Sequence, residues 1–385
     1  MRELAHAGGL LGYVASAERD PFSVPSRLSD AASAVGADAE TKLIVPGHPE
    51  LAIDMPIPYG GMNRHIWAAH DRMFDWLSGY GLLPGNNLSV LKGSRCDLLT
   101  GCYYPNADLP TLELLDQFMG WGFIIDDQVD DCTVGLDPDR TAAVIAEFVS
   151  ILNDSPPSTM TPAGRALADW WRRVTGFCTD SWRSQFVNSA GLWLWTYARE
   201  ARYWADGHVP SLEEYLSYRR DSIASWTYSD LCELANRDEL SEQVRRLPSY
   251  QEMRIPMAMH VALTNDILSY EKQRELGRQD DAITILVKEK GCSEEEGLAM
   301  VVAMVNRYLR AFLDSEQRFY LQLKDAGIDP AMQESARRAV QSLRTHIRAS
   351  ADWEIDAIER FGGDTYYVRG SDSSVEDVLV LPATS

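Results

Sequence analysis

With 385 residues, 45% of them hydrophobic and 24% charged, the chain has a soluble globular composition and is long enough to bury a sizeable core. Its 36 basic and 57 acidic residues leave a net charge of −21, which disfavours nucleic acid and anionic membranes and favours metal ions and metal-bound ligands as partners. No apolar run approaches the ~20 residues needed for stable membrane insertion, and the scattered cysteines form no C-x-x-C pair, so neither zinc nor redox chemistry is signalled and a cytoplasmic location is expected.

Residues 1–60 are rich in Ala, Gly, Pro, Ser and Asp without sustained periodicity, and read as a loosely structured leader. The mild apolar stretch behind Arg2 is interrupted by Glu3 and His6 and reads as mature sequence. From His65 helical spacing takes over, with Trp67, Phe74, Trp76 and Leu77 on or near one face of a first amphipathic helix. Thr111 to Asp131, following Pro110 and carrying Leu114, Leu115, Phe118, Phe123 and Ile125, predicts a buried central helix. Gly135, Pro138 and later Pro156 and Pro157 mark loops between further helices. Ser211 with Glu214, and Ser293 with Glu296, have the spacing of capping boxes. No alternating segment of useful length and no repeat is visible. The fold class is therefore all-α: a single helical bundle over 61–362, followed by a polar tail at 363–385.

At the end of the central helix, Asp126, Asp127, Asp130 and Asp131 cluster behind Phe123-Ile124-Ile125. Spacings of three and four residues put the first three on one helical face. Like charges there repel, and the negative end of the helix dipole adds to the cost. A solvated helix end would account for two aspartates. Four abutting so apolar a run point to a hard divalent cation with oxygen ligands, such as magnesium. A second apolar helix, with Met257, Val261, Ile267 and Leu268, carries Asn265 and Ser269 four residues apart. That pair is weak alone, since local hydrogen bonds usually explain polar residues in mid-helix. With the aspartate cluster it would make the second wall of a metal site between facing helices.

A D-D-x-x-D motif followed far downstream by N-D-x-x-S, part of the family motif N-D-x-x-S-x-x-x-E, resembles the bacterial class I terpene synthases, and the resemblance runs from about Asn63 to Arg360. It implies the helical class I terpenoid synthase fold with the active site between facing helices. It also implies three Mg2+ ions that hold an isoprenyl diphosphate substrate and draw its diphosphate away. Asp126 would bridge two ions, supported by Asp127 and Asp130, while Asn265, Ser269 and Gln273 would bind the third. The family's glutamate falls on Gln273, which lies about 40° from Ser269 around the helix, against about 160° for Glu271 and about 120° for Glu275. Neither neighbour can substitute, so a weaker third ion is expected. The same resemblance makes Arg219 the diphosphate sensor, Ser222 and Ile223 the helix break that transmits binding, and Lys272 and Arg360 further diphosphate ligands. Phe361 stands where the family has a tyrosine.

An allylic cation needs a dry pocket whose aromatic faces stabilise it. Phe123, one turn before Asp126, is expected to line that cavity, with Trp226 and Tyr228 as further candidates. The expected reaction ionises farnesyl diphosphate and cyclises the cation to a hydrocarbon or alcohol. Gly122 would leave room for geranylgeranyl diphosphate instead. Two alternatives share the motifs: a chain-elongating prenyl diphosphate synthase, for which Asp280-Asp281 is the nearest second aspartate motif, and a diphosphate-binding pseudoenzyme. Whether the chain works alone or as a homodimer is not legible in the sequence.

Overall fold

The computed structural model describes residues 42–131, 134–275, 280–361 and 376–380, with side chains except at 130, 131, 272, 275 and 357–361. It opens on a hairpin. Strands β1 (Lys42–Val45) and β2 (His48–Asp54) pair antiparallel, with Leu43 opposite Ile53 and Ile44 opposite Ala52. Gly47 turns the chain with a φ of 78°, a left-handed conformation that glycine adopts without strain. Leu43, Val45 and Ile53 point inward and are buried. The Asn306 amide takes the place of a third strand: it accepts from Asp54 N at 2.7 Å and donates to Ala52 O at 3.1 Å. This corrects the expectation of no strands and of a loose leader through residue 60, since Met55 and Ile57 are also fully buried. The alternation in β1 spans only four residues, too few to stand out until a distant helix covers it.

Among the described residues every other regular element is a helix. The helices are α1 (Ile66–Gly79), α2 (Asn87–Ser94), α3 (Cys96–Tyr103), α4 (Leu109–Asp131), α5 (Pro138–Leu152), α6 (Pro162–Thr175) and α7 (Asp180–Asp206). They continue with α8 (Leu212–Ser222), α9 (Ser225–Ala235), α10 (Glu242–Arg245), α11 (Pro248–Glu275), α12 (Ala282–Lys290), α13 (Glu294–Asp325) and α14 (Pro330–Phe361). Ser293 and Glu296 form the full reciprocal capping box. At α8 only half of that motif is made. Ser211 accepts from Glu214 N, while the Glu214 carboxylate turns to Tyr203 and His208.

Two hydrophobic clusters result. One surrounds α4, whose Leu112, Leu115, Phe118, Trp121 and Ile124 are buried among side chains of α1, α3, α5, α6, α7 and α9. The other joins α11 to α12, α13, α14 and the hairpin. The aspartate motif thus ends the central helix of the first cluster, and Asn265 lies on the central helix of the second.

The polar tail expected at 363–385 is also corrected in part. Residues 376–380 lie along the end of α4, with Val378 and Leu379 buried in the first cluster. The Gln128 amide donates to Glu376 O at 3.0 Å and accepts from Val378 N at 2.8 Å. Asn87 makes the same two-sided contact with Glu376, at 3.0 and 2.8 Å. The apolar run from Val378 to Leu381 is too short to show a helical or strand period.

Candidate active site

One stripe of α4 carries Phe118, Gly122 and Asp126 at successive turns, and it faces α7 and α9. The Tyr197 hydroxyl on α7 donates to Asp126 Oδ1 at 2.9 Å and accepts from the Trp193 indole at 3.2 Å. Burial, then the Asp126 charge, holds the Tyr197 phenol well above its ordinary value, so it remains a donor. Asp126 itself is exposed and Asp127 half-buried. Asp130 belongs to α4 by its backbone, but its side chain lies outside the described residues. Phe123 packs edge-on against Trp353 of α14, with centroids 5.7 Å apart, and Trp353 is anchored through its indole to Arg95 O at 3.1 Å.

Arg219 on α8 gathers the second set of side chains. It donates to Asn265 Oδ1 at 2.7 Å, to Asp266 Oδ1 at 3.0 Å and to Ser222 Oγ at 3.1 Å. Burial opposes its charge, but Tyr215 and Asp266 outweigh burial and hold the guanidinium above its ordinary value. Asp266 is a fixed anchor: it also accepts from the Tyr215 hydroxyl at 2.9 Å and from Ala282 N at 3.1 Å, tying α8, α11 and α12 together. Directly after Ser222, α8 breaks. Ile223 caps its C-terminal end, and Ala224 takes a φ of 57°, a left-handed conformation that costs a non-glycine residue about 1–2 kcal/mol. Helix α9 restarts at Ser225. The sequence-predicted Arg219, Ser222, Ile223 and Asn265 are therefore one contiguous unit. It is joined to Asp126 through α7, which packs on both α8 and α9.

Ser269 follows Asn265 by one turn and donates to its backbone carbonyl at 2.7 Å, leaving the hydroxyl lone pairs open. One turn further, Gln273 Oε1 is buried without a hydrogen-bond donor. An orphaned carbonyl oxygen in line with a hydroxyl and an amide suits a hard cation. Glu271 turns outward to pair with Arg274. Among the described residues no three His, Cys, Asp or Glu side chains converge as a ready-made metal cluster. The available donor set is mixed: Asp126, Asp127, Asn265, Ser269 and Gln273. The side chains of Lys272 and Arg360 lie outside the described residues, although their backbones belong to α11 and α14.

Two aromatic expectations divide. Tyr228 turns toward α4 and packs against Phe118 and Trp193, with centroids 5.8 and 6.1 Å away. Trp226 instead donates to Arg254 O at 3.2 Å and lines an outer cleft with Asp180, Arg245 and Arg254. Gly122 opens no extra room. A Cβ there would come far inside 3.0 Å of the Tyr228 hydroxyl, so the space is already filled from α9. Tyr197 and Gln128 were not legible as functional. An aromatic one turn from Trp193, and a glutamine between acidic residues, look like ordinary core and surface.

The fold is a helical bundle in which the aspartate motif of α4 and the oxygen-bearing side chains of α11 are linked through Tyr197 of α7 and Arg219 of α8. The family described as "Terpene synthase family 2, C-terminal metal binding" matches residues 117–311, and the chain belongs to it. The chain is 28% identical over 339 residues to the (2Z,6E)-hedycaryol synthase of Kitasatospora setae, covering 88% of this chain and 97% of that protein. It is 26% identical over 299 residues to a (2E,6E)-farnesyl diphosphate cyclizing (+)-T-muurolol synthase of Roseiflexus castenholzii, covering 77% and 90%. The crystal structure of germacradien-4-ol synthase from Streptomyces citricolor superposes with a TM-score of 0.69 at 26% identity, covering 76% of this chain and 94% of that one. Among the described residues no helix is long and apolar enough to cross a membrane.

Proposed function

We propose that the protein ionises farnesyl diphosphate and cyclises the resulting cation to a sesquiterpene hydrocarbon or alcohol, releasing diphosphate as a carbon–oxygen lyase. One observation carries this reading: a single guanidinium, Arg219, hydrogen-bonds both Asn265 of the second motif and Ser222 at the helix break. A group so placed couples whatever binds beside Asn265 to the helix that bears Tyr228. Asp126, Asp127 and Asp130 on one wall, and Asn265, Ser269 and Gln273 on the other, would hold Mg2+, with three ions expected. Bound there, the metal would neutralise the diphosphate and make it a better leaving group. Arg219 donates to the departing oxygens as their charge grows, joined by Lys272 and Arg360. Phe123 and Tyr228 present aromatic faces to the cation and exclude water.

The elongation alternative is disfavoured by the fate of its second aspartate motif. Asp281 is buried and caps α12, accepting from Ile283 N at 2.9 Å and Thr284 N at 2.8 Å. The test is incubation with ten-, fifteen- and twenty-carbon diphosphates and Mg2+, with and without isopentenyl diphosphate, followed by gas chromatography of the products. A cyclic fifteen-carbon product abolished by chelator is expected. Elongated diphosphates, or turnover indifferent to chelator, overturn the reading.

A further inference from the structure

Trp226 stands two residues beyond the strained Ala224 and ties the helix break to α11. Helices α8 and α9 are joined only through Ile223 and Ala224, with Ala224 at a φ of 57°. A non-glycine residue keeps that conformation only where its surroundings enforce it. From the α8 side of the break, the Arg220 guanidinium lies over the Trp226 ring, 5.3 Å from its centroid. From α11, the Arg254 guanidinium lies over the Trp226 ring as well, also at 5.3 Å. Both are within reach of a cation–π attraction. Two hydrogen bonds then lock the tryptophan to α11: its indole donates to Arg254 O, and Arg254 Nη2 donates to Trp226 O, each at 3.2 Å. Arg254 is itself buried and donates to Asp230 Oδ1 at 2.7 Å. Arg220 is oriented by its neighbour, donating from Nε to Asp221 Oδ1 at 3.2 Å.

These contacts bear on Arg219 although none of them includes it. Arg219 presents its guanidinium to Asn265 of α11, so the register of α8 against α11 decides that geometry. One link fixes the register through Asp266, which accepts from both Arg219 and Tyr215 of α8. The chain Arg220–Trp226–Arg254 is a second link between the same two helices, made across the break. An arginine stacked on a surface tryptophan within one helix would be ordinary packing. Here the stack joins residues on opposite sides of a strained turn, and its far end is anchored on the helix that bears Asn265. We propose that Trp226 is a positioning residue: by clamping Arg220 to Arg254 across the break, it holds Arg219 in register to receive a diphosphate. The proposal rests on the cyclase reading above. No bond is made or broken at Trp226.

The test compares wild type with Trp226→Leu, Trp226→Phe, Arg220→Gln and the double variant combining Trp226→Leu with Arg220→Gln. Two quantities are measured: the dissociation constant of inorganic diphosphate in excess Mg2+, by calorimetry, and amide hydrogen exchange across residues 219–226 without metal. Trp226→Leu, which leaves the charge unaltered, is expected to weaken diphosphate binding about fivefold and to speed exchange at the break. Trp226→Phe keeps an aromatic face and is expected to stay within about twofold of wild type. Arg220→Gln is expected to weaken binding about as much as Trp226→Leu. The double variant should be no weaker than the worse single one, since both substitutions remove the same link. Binding and exchange in Trp226→Leu equal to wild type overturn the proposal. So does a Trp226→Phe protein as weak as Trp226→Leu, or losses that multiply in the double variant. Should Trp226→Leu fail to fold, Arg220→Gln decides the matter, and unchanged binding and exchange there overturn the proposal. A wild type that binds no diphosphate and makes no terpene sinks the cyclase reading beneath it. A wild type that binds and cyclises, with Trp226→Leu indistinguishable from it, sinks this proposal alone.

Discussion

Tyr197 acts on Asp126 through a single oxygen. A hydrogen bond to a carboxylate is worth about 1.5–3 kcal/mol, and losing an outer partner of a metal ligand typically lowers metal affinity 10–100-fold. Tyr197→Phe is therefore expected to raise the Mg2+ concentration for half-maximal turnover about tenfold, with weaker direct Mn2+ binding and little change in unfolding midpoint. An unmoved metal requirement would show that Asp126 does not need this bond. Gln273 offers an orphaned oxygen but no charge. In Gln273→Glu the added charge is expected to lower the Mg2+ requirement several-fold, roughly 1 kcal/mol of binding. A titration curve overlying that of wild type removes Gln273 from the site. The motif residues were readable because their chemistry is unusual for their surroundings. Tyr197 was not, because only its contact with Asp126 sets it apart from the core.

At the scale of elements, buried charges decide how the helices lock. Asp230 on α9 accepts from Arg254 of α11 at 2.7 Å and from Gln185 of α7 at 2.6 Å, and Ser189 is a further donor. Asp230→Ala would strand a buried guanidinium, at a cost of about 3–5 kcal/mol in chemical denaturation. Pairing Asp230→Leu with Arg254→Met should recover most of that loss; equal instability of the two proteins would refute the ion-pair account. Asp116 of α4 is fully buried, and burial, then the Asp97 charge, pushes its carboxyl up to about 7, with Thr100 acting in the other direction. Its folded value lies above its unfolded one. The stabilising share is thus complete below about pH 4 and is lost as pH rises through about 7. Asp116→Asn is expected to be more stable than wild type at pH 8, on the order of 2 kcal/mol, with the two converging near pH 4. Parallel stability curves from pH 4 to 8 would contradict this. Helix positions followed from apolar spacing, but which polar residues are buried depended on the neighbour each helix found.

For the whole molecule, the hairpin at residues 42–54 and the segment 376–380 both pack against the helices. The hairpin seals α13, and residues 376–380 brace the end of α4 through Gln128, inside the aspartate motif. Ending the chain after residue 375 removes those backbone hydrogen bonds and the burial of Val378 and Leu379, a loss of about 3 kcal/mol. Because the brace grips the helix that carries the aspartate motif, the truncated protein is also expected to need more Mg2+ for half-maximal turnover. Unaltered stability and metal dependence would leave the segment without a role.

The sequence by itself determined the helical class, the buried central helix, and the residue types able to hold a cation and a diphosphate. Those properties reside in local periodicity and in charge placed against an apolar run. Tertiary structure alone decided that Arg219 meets Asn265 and Ser222, that Tyr197 orients Asp126, and that Tyr228 fills the space at Gly122. Each of these is a contact between residues far apart along the chain, created only when the two hydrophobic clusters assemble.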